Sequence, residues 1–111
     1  MPYESALSAL GDATRRAVFE QLRRGPASVQ EIADRMPVSR PAVSQHLKVL
    51  KEAGLVIDEA AGVRRVYAVD PRGLAQIRSW LDRFWDDALR SFKADVERKP
   101  APKSSKRKVR R

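Results

Sequence analysis

Between Ser28 and Gly54 lie two short helix signatures separated only by Pro37 and Val38, and this spacing constrains the fold more than any other feature of the chain. Ser28-Val29-Gln30-Glu31 has the form of a capping box, in which a serine hydroxyl and a glutamate carboxylate each accept a hydrogen bond from a free amide at a helix start. Val29, Ile32, Ala33 and Met36 follow at i, i+3, i+4 and i+7, and Pro37 ends the run. Ser39 can cap the next helix, with Pro41 in a first turn whose amides have no intrahelical partner. Gly54 supplies its stop. Two short helices joined so tightly predict a helix-turn-helix.

The second of these helices has two unlike faces. With residues advancing about 100° apiece, Val43, Leu47 and Leu50 fall together as a core stripe. Arg40, Pro41, Ser44, Gln45 and Lys48 fall on the flank and the opposite face. The DNA major groove accepts a helix and displays a donor, acceptor and methyl pattern specific to each base pair, which short polar side chains and arginine can read. Arg40, Ser44 and Gln45 sit in the N-terminal half, the end that approaches base edges in such motifs. A face that was merely solvated would ordinarily be filled with Glu, Lys and Ala. His46 borders the polar face, where it could bond a phosphate or satisfy a neighbouring backbone group.

The flanking sequence completes a mainly α architecture with a small β-hairpin. Tyr3, Ala6, Leu7 and Leu10 recur at helical spacing, and Asp12 can cap a second helix reaching about Arg24 before Gly25-Pro26. Leu55 to Glu59 and Arg65 to Val69 read as two strands around Ala60-Ala61-Gly62-Val63-Arg64. This hairpin would be a wing, with Arg64 and Arg65 placed to reach phosphate or the minor groove. The alternative is charged decoration that discourages edge pairing. Asp70-Pro71 then opens a long helix to about Arg98. Leu74, Ile77, Leu81, Phe84 and Ala88 follow a 3-4 spacing on it, widened by Trp80, Trp85, Leu89, Phe92 and Val96. One small domain can hardly cover so broad an apolar surface, so Leu7 with Leu74, Ile77, Leu81, Phe84, Trp85, Ala88 and Phe92 is the expected dimer interface. The two tryptophans could instead line a small-molecule pocket.

Net charge alone does not decide the function. The chain carries +9, but seven of its positive charges fall in residues 99–111 with no acid among them. The first 98 residues hold sixteen basic and fourteen acidic side chains. Residues 1–98 are therefore the expected folded DNA-binding and dimerisation domain, and 99–111 a basic tail expected to be disordered when free. That tail could strengthen DNA binding electrostatically or simply solubilise the end. With no cysteine and a single histidine, the chain has little from which to build a metal site, and no cofactor is expected. No nucleophile–base pair or glycine-rich phosphate loop suggests an enzyme. No apolar run approaches membrane-spanning length and no signal sequence is evident, so a cytoplasmic protein is expected.

Leu10-Gly11-Asp12-Ala13-Thr14-Arg15-Arg16, the stretch Val43 to Val56, and Gly62 with Tyr67 together resemble the ArsR-like winged-helix transcriptional repressors, a match that runs from Leu10 to about Phe92. The resemblance implies a homodimer paired through terminal helices, its two recognition helices entering successive major grooves of an imperfect palindrome. It assigns the reading surface to Ser39, Arg40, Ser44, Gln45 and His46, with Arg64 and Arg65 in the wing. Many members of that family sense metals through cysteines before the turn or Asp and His pairs on the last helix. Here Val29-Gln30-Glu31-Ile32-Ala33 has no thiol, and Asp82, Asp86 and Asp87 have no histidine beside them, so this resembles a branch without the metal site. A small-molecule inducer stays open. The competing expectation is a winged helix used for protein contact without sequence-specific DNA binding.

Overall fold

The computed structural model describes residues 2–98, and the basic tail lies outside them. Five helices and three strands run in the order α1 Pro2–Leu10, α2 Ala13–Glu20, β1 Ala27–Ser28, α3 Val29–Arg35, α4 Arg40–Glu52, β2 Val56–Ala61, β3 Arg64–Val69 and α5 Pro71–Glu97. The helix starts follow the capping residues. Asp12 accepts from the Arg15 amide at 2.9 Å, and the Ser28–Glu31 box closes in both directions. Ser39 accepts from the Ala42 amide at 3.3 Å, with Pro41 just inside the helix.

Helix α4 ends as its sequence requires. Gly54 takes φ +81°, a left-handed conformation that lacks a steric penalty only for glycine. The Leu55 amide then reaches back to the Leu50 carbonyl at 2.9 Å, and the Gly54 amide to the Lys51 carbonyl at 3.0 Å. This is the Schellman pattern, and it delivers Leu55, fully buried, into the core. Gly73 lies against the same corner: a Cβ placed there would stand 2.1 Å from the Gly54 carbonyl oxygen. Only a residue without a side chain lets the first turn of α5 approach so closely. Asp70 receives the Arg72 amide and side chain at 3.0 Å, while its own amide donates to the Leu55 carbonyl at 2.8 Å.

The strands form one antiparallel sheet in the order β1-β3-β2. The wing is therefore a hairpin with a third strand on its edge, Ala27 opposite Tyr67 and Ser28 opposite Val66. The hairpin is tighter than its sequence suggests. Pairing continues to Ala61 opposite Arg64, so Arg64 belongs to β3 and only Gly62 and Val63 make the turn, Gly62 at φ +67°. Helix α2 stops at Glu20, short of the expected Arg24, because the Leu22 and Arg23 amides turn to the carbonyls of Phe19 and Glu20, three residues back.

The core gathers one stripe from each helix of the helix-turn-helix region. Val18, Ile32, Val43, Leu47, Leu50 and Leu55 are completely buried, with Ala6, Ala9, Leu22, Ala27 and Val56 beside them. The α4 stripe is the one its periodicity specifies. The chain divides into two compact units, one reaching to Trp80 and the other starting at Leu81. In the first, Tyr3 of α1 stacks on Trp80 with ring centroids 5.3 Å apart, and Ile77 packs against the core. In the second, the helix exposes Leu81, Phe84, Trp85, Leu89, Phe92 and Val96.

Candidate nucleic-acid interface

Burial of Val43, Leu47 and Leu50 fixes the roll of α4 and thereby turns Arg40, Ser44, Gln45 and Lys48 to solvent. The thirteen residues of α4 span about 20 Å at 1.5 Å per residue, a length that fits within a groove. Ser39, also exposed, commits its hydroxyl oxygen to the cap, leaving the O–H free to donate. His46 is half-buried at the border of this face, and the nearby Asp12 carboxyl is held below its ordinary value first by the Arg15 amide and then by the Arg15 charge.

The wing and the start of α4 meet at a cleft of about 230 Å³. Arg40, Arg64 and Arg65 line it with Ser28, Val29, Gln30 and Tyr67. Three arginines, one from α4 and two from β3, are thus brought to one surface. Strand β1 explains how: it holds the start of α3 against β3 and so carries the wing to the N-terminal side of α4. Glu31 sits nearby with its carboxyl held below the usual range, first by the Ser28 amide and hydroxyl and then by the Arg64 charge.

The two wing arginines differ in their partners. Arg65 donates to Asp58 Oδ2 at 2.9 Å, and Lys51, from the last turn of α4, approaches Asp58 Oδ1 at 2.8 Å. These two cations hold the Asp58 carboxyl below its ordinary value, Lys51 contributing most. Lys51, Asp58 and Gln30 are parts of this surface that the sequence reading did not single out. Lys51 was open to discovery, since it continues the stripe of Ser44 and Lys48 at i+7 and i+3. Asp58 offered no local signal.

The residues expected at a subunit interface are distributed unevenly. Leu81, Trp85 and Phe92 are 51%, 62% and 65% exposed, and Phe84 and Ala88 are exposed too. Leu7 is half-buried. Ile77 serves the protomer's own core, and Leu74 lines a groove of about 640 Å³ with Phe19, Leu22 and Val69. Trp80, stacked on Tyr3, is likewise used internally. Among the described residues no group of three His, Cys, Asp or Glu side chains could hold a metal ion, and no helix is long and apolar enough to cross a membrane.

Comparison with known proteins agrees with this architecture. Residues 10–59 match a helix-turn-helix domain family. The chain is 60% identical over 89 residues to the HTH-type transcriptional regulator Rv2034 of Mycobacterium tuberculosis, covering 80% of this chain and 83% of that protein. It is 42% identical over 71 residues, 64% of its length, to the transcriptional repressor SmtB of the same species, where the match spans about half (53%) of the relative. Among solved structures, an ArsR-like transcriptional regulator from Rhodococcus sp. RHA1 superposes with a TM-score of 0.74 at 32% identity, covering 88% of this chain and 95% of that one. With the exposed polar face of α4, the tight turn before it and the wing beside it, these likenesses establish that the chain belongs to the ArsR family of winged helix-turn-helix transcriptional regulators.

Proposed function

We propose that the protein is a homodimeric repressor that reads an imperfect palindrome in double-stranded DNA and silences the promoter it occupies. The observation that carries this reading is the alignment of the exposed face of α4 with the three-arginine cleft beneath the wing. In it Arg40, Ser44 and Gln45 contact base edges, Ser39, His46 and Lys48 contact the backbone or flanking bases, and Arg64 and Arg65 grip phosphate or the adjacent minor groove. The SmtB repressor's likeness supports the repressing sense. The second copy is supported by α5, where Leu81, Trp85, Leu89, Phe92 and Val96 occupy one broad apolar strip of the helix. Two such subunits would place recognition helices about one DNA turn, roughly 34 Å, apart. The protein acts by occupancy rather than catalysis and works in the cytoplasm, where a bacterial promoter is accessible. Residues 99–111 lend it a non-specific electrostatic arm.

The test is fluorescence anisotropy with DNA from upstream of the protein's own gene, against scrambled competitor at near-physiological salt. Saturable binding that survives the competitor is expected. Binding that vanishes with competitor, from a protein that sediments as a monomer, would favour a winged helix used for protein contact.

A further inference from the structure

Asp58 stands between the two parts of the DNA-facing surface. Its side chain is only 8% exposed, and each of its oxygens is taken by a different cation, Oδ1 by Lys51 at 2.8 Å and Oδ2 by Arg65 at 2.9 Å. Both cations are about half exposed, at 53% and 55%. Lys51 lies on the α4 stripe that carries Ser44 and Lys48, and Arg65 lines the cleft with Arg40 and Arg64. Two positive charges on the surface assigned to DNA are therefore already bound, and bound by what DNA would itself offer them: an anionic oxygen within hydrogen-bond reach.

We propose that Asp58 is a specificity-determining residue, an internal stand-in for DNA phosphate that withholds Lys51 and Arg65 from non-specific duplex and yields them once α4 is seated on its operator. The proposal rests on the reading of α4 and the wing as a DNA surface. A cation gains little by exchanging one anionic oxygen for another, and the acid left behind repels the incoming strand. On random DNA, where contact is electrostatic and the register is loose, that exchange has nothing to drive it. On an operator, base contacts by α4 fix the register and hold phosphate beside both cations, so the exchange is carried by contacts made elsewhere. Lys51 and Arg65 hold the Asp58 pKa below its ordinary value, so the acid stays charged throughout the neutral range.

The experiment measures binding of the full chain to a 30-base-pair duplex of scrambled sequence over a range of salt, for wild type, Asp58→Asn, Arg65→Gln and the double variant. Asp58→Asn is expected to bind this duplex more tightly and with a steeper salt dependence, by about 0.9 in the log–log slope for each cation released and about 1.8 for both. The latter adds about a 3.5-fold loss of affinity for each doubling of salt. Arg65→Gln alone should leave the slope unchanged, yet remove about half of the steepening in the Asp58→Asn background. A residue that merely ties the wing to α4 gives the opposite result, since its loss loosens the surface and weakens binding. An unchanged or shallower slope for Asp58→Asn, in a protein that still unfolds cooperatively, overturns the proposal. Should that variant fail to fold, a fall of about 0.9 for Arg65→Gln alone overturns it equally. Wild-type protein that binds neither this duplex nor its own upstream DNA overturns the DNA reading and the proposal together. Wild-type binding without the Asp58 effect removes only the proposal.

Discussion

In the proposed DNA reading, Gln45 and Arg40 are the side chains that carry sequence discrimination. Both are exposed, and neither has a side-chain hydrogen bond among the described residues. Truncating either to alanine should lower discrimination between operator and scrambled DNA by about 1–3 kcal/mol if it makes a bidentate base contact. Competition anisotropy checks this, and equal weakening on both duplexes would assign the residue to phosphate. Ser28 matters for a different reason. Its hydroxyl accepts the Glu31 amide at 3.2 Å in a largely buried setting, and its amide donates to Glu31 Oε1 at 2.9 Å. Ser28→Ala should cost about 1 kcal/mol of stability, measured by urea unfolding, with an unchanged m-value. An effect below a few tenths of that would show the box to be dispensable. Because Ser28 also pairs with Val66, the same change bears on the wing as well as on α3.

Helix α5 presents its apolar surface in two distinct ways. Ile77 and Trp80 are used within the protomer, whereas Leu81, Trp85, Leu89, Phe92 and Val96 are open to solvent and lie within about 80° of one another around the helix. Leu89→Glu should halve the mass seen by sedimentation and weaken operator binding through loss of the second half-site, with little effect on thermal unfolding of the helix-turn-helix region. A dimer that survives the substitution would place the subunit contact elsewhere. What could be read in the sequence divides along similar lines. The caps at Asp12, Ser28 and Ser39, the core stripe of α4 and the stop at Gly54 are all encoded within one or two turns of chain, and local sequence specified each of them. Strand β1 is two residues long and exists only because Val66 and Tyr67 arrive to pair with it, so no periodicity could announce it. The wing turn was read too long for the same reason: Ala60, Ala61 and Arg64 have weak strand character and are extended by their partners. In the site, the polar face of α4 was legible from its spacing. The joint engagement of Lys51 and Arg65 by Asp58 was not, since it depends on how a helix end, a strand and its neighbour meet.

At the scale of the whole molecule, four carboxylates tie the elements together: Asp12 at α2, Glu31 at α3, Asp58 between α4 and the wing, and Asp70 at the start of α5. All four have values held below those of the unfolded chain, Asp12, Glu31 and Asp70 chiefly by hydrogen bonds from Arg15, Ser28 and Arg72, and Asp58 chiefly by Lys51. On acidification the unfolded chain therefore takes up these protons first. Their stabilisation is present above about pH 5 and is lost progressively as the pH falls toward 3. Thermal unfolding midpoints should be flat from pH 7 to about 5 and decline below it, and a midpoint that rose on acidification would contradict these assignments. The close approach of Gly73 to the Gly54 carbonyl bears on how such a protein could respond to a signal. Between the first turn of α5 and the residue that closes the recognition helix there is backbone against backbone, with no side chain to yield or repack. A displacement of that turn cannot be absorbed where the two meet. It would be handed on to the end of α4, so in the proposed DNA reading an effector need not approach the DNA to disturb the helix that reads it.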